Sequence, residues 1–373
     1  MHVVVIGAGL GGLCLAQGLR RSGIAVTVYE RDQGVTARFQ GYRIGLAEHG
    51  IEALRASLPP RWYRLVEATV GDLAGERPIL DPRLNRVGEM SPLRGTAVDR
   101  HVLRHLLLAG LDVHFGKNLV SYRVRPDQQV AVEFGDGTTR HTDVLVGADG
   151  INSSVRATLT PATRVTDTGT RCVIGRTVLT DRLAALVPGF GTVVRSDNLT
   201  LVLGLMRFRT RPTAAATRLA PEVSRPDVRD YLRWVTLLPT GHPIAEGASR
   251  PAQDAVLGLI EGWHPQLRSL VEAADPDNST LLSIKIVRPE HHWEPGPVTL
   301  LGDAIHATSP SGGNGANTAL RDAQLLCRKL VDAVYGRVGL LEAIDDYQSQ
   351  MRVYGAEAVE HSVAMLPRFA PGN

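Results

Sequence analysis

Residues 2–6 (His-Val-Val-Val-Ile) run straight into Gly7-x-Gly9-x-x-Gly12, and no other stretch narrows the possible folds as much. A short β-branched run stopped by glycines reads as a buried parallel strand. Residues 10–22 follow with helical spacing, through Leu13, Ala16, Leu19 and Arg20, and stop at Gly23. Residues 25–29 (Ala-Val-Thr-Val-Tyr) read as a second strand, completing a strand–helix–strand unit of about 30 residues. In a chain with 38 glycines the triplet alone is a weak signal, and its place between strand and helix is what gives it meaning. The second glycine lets the backbone approach a pyrophosphate, and the third lets the helix pack closely with its first N–H groups facing the phosphates. Glu30 ends the second strand eighteen residues after Gly12. A carboxylate there accepts hydrogen bonds from an adenosine ribose and repels a 2′-phosphate, which favours FAD or NAD over NADP. Leu10, beside the turn, and Arg31, after the strand, are further candidate cofactor contacts.

The rest of the chain extends an α/β pattern. A helix is expected around 99–109, with strand-like stretches near 112–115 and 130–134. Another buried strand, Val144-Leu145-Val146, opens into Gly147-Ala148-Asp149-Gly150. The middle differs: 171–179, 192–195, 199–208, 231–238 and 280–287 favour strands separated by turn residues, and 211–229 reads as a loop with a short helix. A last buried strand, Val298–Leu301, leads into glycines and a helix over 317–335, and 340–366 is an amphipathic helical tail.

Composition excludes several classes. The formal charge is only +3 and no Lys/Arg cluster occurs, which argues against a nucleic-acid partner. No apolar run approaches the ~20 residues of a membrane-spanning helix. Cys14, Cys172 and Cys327 are isolated and fit neither a disulfide framework nor a metal spacing. Met1 enters the first strand without a cleavable leader, so a cytoplasmic location is expected. His291-His292 reads as a surface pair, since adjacent residues on a strand face opposite ways, and no metal site is expected.

A second motif is the most specific. Gly302-Asp303-Ala304-Ile305-His306 is followed by Pro310-x-x-Gly313-x-Gly315-Ala316-Asn317. A carboxylate just after a buried strand is placed to bind a polyol, and a glycine-rich helix start offers bare N–H groups to the O2/N1 edge of an isoalloxazine. His306 reads as structural within that turn rather than as an acid–base group.

Together with Asp149-Gly150-x-x-Ser153-x-x-Arg156, Gly41-Tyr42-Arg43-Ile44 and Val98-Asp99-Arg100-x-x-Leu103-Arg104, these segments resemble the class A flavoprotein monooxygenases, the single-component FAD hydroxylases that include p-hydroxybenzoate hydroxylase and the tetracycline-degrading enzymes. The resemblance spans essentially the whole chain. It implies a Rossmann-type FAD-binding domain (1–70, 95–165 and 286–335), an inserted mostly-β substrate domain (71–94 and 166–285) and a C-terminal helical segment (336–373). It further implies that Arg100 and Asp303 contact the ribityl–pyrophosphate portion of FAD and that Glu30 holds the adenosine ribose. Arg43 would lie near the phosphate or the flavin ring, and Leu119 near the adenine. Asp149 and Arg156 would belong to a segment shared with a transient NAD(P)H. Pro310, Gly313, Gly315, Ala316 and Asn317 would flank the ring. Asn314 departs from the commoner Gln or Glu.

The implied activity is NAD(P)H- and O2-dependent hydroxylation or epoxidation of a small aromatic or polyketide-like natural product through a flavin C4a-hydroperoxide. Phe190, Met206, Phe208 and Trp234 are candidate pocket residues, and no substrate-activating base is evident. A single dinucleotide fingerprint argues against flavin enzymes with a second Rossmann domain. Without a Trp-x-Trp-x-Ile-Pro segment, or any lysine before Lys117, the halogenases do not fit. The same signatures also suit a double-bond reductase, a non-redox cyclase using FAD structurally, or a silent flavin-binding module.

Overall fold

The structure is a computed structural model and describes residues 1–37, 41–91, 95–224, 226–238, 252–274 and 279–369. Its first layer is an all-parallel sheet in the order β18 (Val298–Leu300), β12 (Val144–Gly147), β1 (His2–Ile6), β2 (Ala25–Glu30), β8 (Val113–Phe115). β1 is central and covered on both faces, which is why its sequence is an unbroken apolar run: Val3, Val4 and Val5 have no exposed surface. α1 (Leu10–Arg21) makes the crossover and buries Leu13, Leu15 and Leu19 completely. Each such side chain contributes roughly 1.5–3 kcal/mol of burial energy. α11 (Gly315–Val334) packs on α1 and on α2 (Glu48–Ser57), and α12 (Leu340–Met365) packs on α11. The Tyr347 hydroxyl of α12 donates to the Leu300 carbonyl at 2.8 Å, fixing the helical tail to the end of β18.

The second large layer is a seven-stranded sheet: β17 (Thr280–Val287), β13 (Val165–Val178), β16 (Tyr231–Leu238), β15 (Thr200–Met206), β14 (Gly191–Arg195), β5 (Pro78–Leu80), β6 (Arg86–Glu89). Strand alternation gives it two unlike faces. Leu232, Trp234, Leu201, Leu203 and Val173 form one, packed in the core that α8 (Ala252–Leu259) and α9 (Pro265–Glu272) complete. Tyr231, Met206 and Ile174 lie on the other, clustered with Phe190, Phe208 and Tyr42.

Two three-stranded sheets complete the sheet topology. β3 (Arg43–Leu46), β7 (Thr96–Asp99) and β4 (Gly71–Asp72) form one, and the meander β9 (Leu119–Val124), β10 (Val130–Phe134), β11 (Thr139–Thr142) the other. The remaining helices are α3 (Pro60–Thr69), α4 (Arg100–Leu108), α5 (Ser154–Leu159), α6 (Asp181–Ala184), α7 (Pro212–Leu219) and the single turn α10 (Asp303–His306). Among the described residues no helix is long and apolar enough to cross a membrane.

Candidate cofactor and active site

One cleft opens at the carboxyl ends of β1, β12 and β18, where parallel α/β sheets place their ligands. Stretches far apart in sequence wall it: Gly7–Gly12, Tyr29–Arg31, Arg100, Lys117–Leu119, Ala148–Asn152, Leu301–Asp303 and Gly315–Ala316. The glycine turn is tight. A Cβ on Gly12 would lie 2.3 Å from the Gly7 carbonyl oxygen, whereas one on Gly9 would meet nothing within 4 Å and would project into open space. Glu30 is fixed at the turn's edge: its carboxylate accepts from the Ala8 amide at 2.8 Å and the Asp32 amide at 3.0 Å, with Arg104 at 3.8 Å. Arg104 also donates to the Ala8 and Val35 carbonyls at 2.9 and 2.8 Å, so it ties the turn to the loop after β2.

Two helix starts open at this cleft, although α2, α3, α7 and α12 likewise begin without a side-chain cap. α4 and α5 are capped by the side chains of Asp99 and Ser153. α1 and α11 begin at Gly9 and Asn314 with no side-chain cap, and both start at the cleft. Two bare helix N-termini at one cleft present unsatisfied N–H groups and positive dipole ends, a donor set suited to phosphate and to an electron-accepting ring edge. Asp303 opens into the same cleft. The surrounding protein pushes its carboxyl up from the usual range, against the pull of Arg100 and His306. Gly302 before it has φ 62° and ψ −144°, a conformation left essentially to glycine.

Beneath this turn lies a polar network. Asp322 of α11 accepts from the Gly302 amide at 2.7 Å, from His306 Nε2 at 2.6 Å and from the Tyr354 hydroxyl at 2.7 Å. His306 and Asp322 have no exposed surface, so the histidine is structural, as the sequence suggested. Burial pushes the His306 imidazole down, but Asp322 outweighs it and the net shift is upward. A raised histidine stabilises the fold fully below its unfolded value of about 6.5, and that contribution is lost as pH rises through the folded value. The melting temperature should therefore fall with alkalinity more steeply in the native protein than in His306→Gln. Parallel curves from pH 5 to 9 would assign the dependence elsewhere.

Most sequence-predicted contacts meet in the cleft: Gly7, Gly9, Leu10, Gly12, Glu30, Arg31, Arg100, Leu119, Asp149, Asp303, Gly315 and Ala316 all line it. Asp149 accepts from the Ser153 hydroxyl and the Ser154 amide, and Arg156 donates to the Ala304 and Ile151 carbonyls, so this segment also braces the Gly302–His306 turn. Asn317, Pro310, Gly313 and Arg43 are not in the cleft wall. The Asn317 amide is spent on Ala47 N, Gly45 O and Gly313 O, which anchors α11 to the loop before α2. Arg43 points to the seven-stranded sheet, donating to the Phe190 and Leu205 carbonyls at 2.9 and 2.7 Å. Of the pocket candidates, Phe190, Met206 and Phe208 share one cluster with Tyr42. Trp234 lies on the opposite face of the sheet, in the α8–α9 core, because its neighbours Arg233 and Val235 take the other side. Sequence reading gave no role to Arg104, Asp322 or Tyr354. Arg104 sat in a quoted motif, while nothing local marked the other two.

The fold and cleft define a Rossmann-type dinucleotide-binding protein with a second, seven-stranded sheet. The FAD binding domain family matches residues 1–362, and the chain belongs to it, among the class A flavoprotein monooxygenases, with FAD as its cofactor. A Photorhabdus luminescens protein assigned as an FAD-containing monooxygenase superposes with a TM-score of 0.84 and 31% identity, over 99% of this chain and 98% of that one. An FAD-dependent urate hydroxylase from Mycolicibacterium vanbaalenii is 29% identical over 87% of this chain and 78% of its own length. A dual O-methyltransferase/FAD-dependent monooxygenase of Phaeosphaeria nodorum is 35% identical over 87% of this chain but only 39% of that protein. The chain thus spans about two fifths of the length of the fungal dual enzymes it matches.

Proposed function

We propose that the chain carries out NAD(P)H-dependent monooxygenation in the cytoplasm, placing one atom of O2 on a small electron-rich aromatic or polyketide-like compound and releasing the other as water. The two uncapped helix starts of α1 and α11 at one cleft carry this reading, since together they suit both the pyrophosphate and the ring of FAD. When bound, FAD supplies the redox chemistry: it takes a hydride from NAD(P)H and makes an oxygen of O2 electrophilic. The start of α1 would hold the pyrophosphate, Glu30 the adenosine ribose, and Arg100 with Asp303 the ribityl portion. The start of α11 then supports negative charge on the ring. Pro310 and Gly313, which do not line the cleft, would flank the ring only from beyond its wall, and Asp149, which does line it, would border the approach of NAD(P)H. In this reading residues 1–70, 95–165 and 286–335 would form the FAD-bearing part, 71–94 and 166–285 the part that faces substrate, and 336–373 the C-terminal segment that contains α12. Hydroxylation of urate by one relative supports a small, electron-rich substrate.

Oxygen-electrode assays of FAD-loaded protein with NADH or NADPH and a panel of phenols and polyketides provide the test. Substrate should stimulate oxygen uptake in proportion to oxygenated product. A compound reduced without oxygen uptake would install the double-bond reductase instead. One cyclised with neither NAD(P)H nor oxygen consumed would install the non-redox reading.

A further inference from the structure

Tyr231 opens β16, and its phenol reaches out of the seven-stranded sheet to the end of β7. Strand alternation sets its ring on the face of Met206, opposite Trp234. The ring is buried there, and so is the carboxylate it meets. Its hydroxyl donates to Asp99 Oδ2 at 2.8 Å, across 132 residues of chain. Asp99 is the last residue of β7 and the cap of α4, its other oxygen accepting from the Val102 amide at 2.9 Å. The next residue, Arg100, lines the cofactor cleft.

Further contacts converge on the same ring. The Arg100 amide donates to the Tyr42 carbonyl at 2.7 Å, and the Tyr42 and Tyr231 rings lie 6.0 Å apart at 59°. The Arg176 guanidinium covers both, at 5.1 and 5.7 Å. Backbone joins the two sheets close by. The Arg209 amide donates to the Val70 carbonyl at 3.0 Å, and a Cβ on Gly71 of β4 would lie 3.0 Å from the Arg207 carbonyl oxygen. The first turn of α4 thus takes its side-chain anchor from the seven-stranded sheet, while Arg100 lines the cleft of the parallel one.

A buried carboxylate needs donors. Burial pushes the Asp99 carboxyl up, and the Val102 amide, the Tyr231 hydroxyl, Arg176 and His101 each pull it back. A phenol donating to an ionised oxygen makes a charge-assisted bond, about twice as strong as a neutral one. Without it, the Val102 amide is the one hydrogen-bond donor left to that carboxylate among the described residues. The turn that carries Arg100 could then shift, and a binding group displaced by more than about 0.5 Å leaves its productive geometry.

We propose that Tyr231 is a positioning residue for the cofactor: acting through Asp99, it fixes the first turn of α4 so that Arg100 meets FAD in its binding geometry. The second sheet thereby sets part of the affinity of a cleft it does not line. The inference rests on the reading of Arg100 as an FAD contact and adds to it a residue outside the cleft wall.

A double-mutant cycle on FAD affinity tests it. FAD is titrated, with fluorescence quenching as the signal, into the apoproteins of the native chain, Tyr231→Phe, Arg100→Ala and the double variant. Tyr231→Phe removes one oxygen and keeps the ring. It should weaken FAD binding about 3- to 10-fold, less than the loss of Arg100 itself, as a residue coupled to a contact does. In the Arg100→Ala background the same change should cost less than about 2-fold, the margin of additivity. A merely structural loss would cost the same in both backgrounds. Should Tyr231→Phe not fold, Asp99→Asn takes its place with the same pattern expected, since it keeps a capping oxygen and gives up the charge that the phenol donates to. Native affinity in Tyr231→Phe, or an undiminished effect in the Arg100→Ala background, overturns the proposal and leaves Arg100 in the site. Equal affinities of the native protein and Arg100→Ala would instead overturn the reading of Arg100, and the proposal with it.

Discussion

Asp322→Ala should lower the unfolding free energy by about 3–5 kcal/mol, the usual cost of removing one partner from a buried ion pair. The size follows from what the carboxylate holds. The Gly302 amide, the His306 ring and the Tyr354 hydroxyl all donate to it within 2.7 Å, and all three donors would be left buried without an acceptor. The damage should reach the cofactor, because Gly302 holds its unusual backbone angles partly through that bond and carries Asp303 into the cleft. Urea unfolding of the holoprotein reads the stability, and flavin retained through gel filtration reads the site. A midpoint shift worth under 1 kcal/mol would mean that the network reorganises around the loss. Asp322→Asn, which keeps the shape and one acceptor oxygen, should fall between the two.

Arg100→Ala should weaken FAD binding about 10- to 150-fold while leaving the chain folded. Losing one charge-assisted hydrogen bond costs roughly 1.5–3 kcal/mol, and that range sets the affinity change. The fold should tolerate the change because the cap of α4 comes from Asp99, and the Arg100 backbone keeps its own bond to the Tyr42 carbonyl at 2.7 Å. Asp303 would also lose a cationic neighbour that now favours its ionised form. Titrating FAD into both apoproteins by fluorescence quenching decides the matter. Equal affinities would remove Arg100 from the cofactor site.

The sequence made the cofactor half of the fold readable and left the substrate half largely closed, for physical reasons. β1, α1 and β2 are contiguous, and each carries its own period, so Glu30 could be placed by counting. The helices over 48–69 and 252–272 escaped notice because they are short and their apolar faces are completed by residues from distant strands. Phe190, Met206 and Phe208, named from sequence as pocket candidates, share one hydrophobic cluster. Trp234 lies in a different cluster on the other face, since alternation tells which residues share a face of β16 but not what packs on each face. Arg43 belongs to a recognisable motif, yet the two carbonyls that orient it lie 147 and 162 residues further along the chain.

The cleft walls come from chain segments as far apart as Gly7 and Gly315, and only the completed fold brings them together. A molecule bound there recognises the native chain and ignores the unfolded one. Free FAD at a hundred times its dissociation constant would then add about 2.7 kcal/mol to stability. That is a substantial part of what holds a typical protein together. Cellular FAD supply would accordingly govern how much of this protein survives proteolysis as well as how much of it is active. A shortage of flavin would show first as lower abundance.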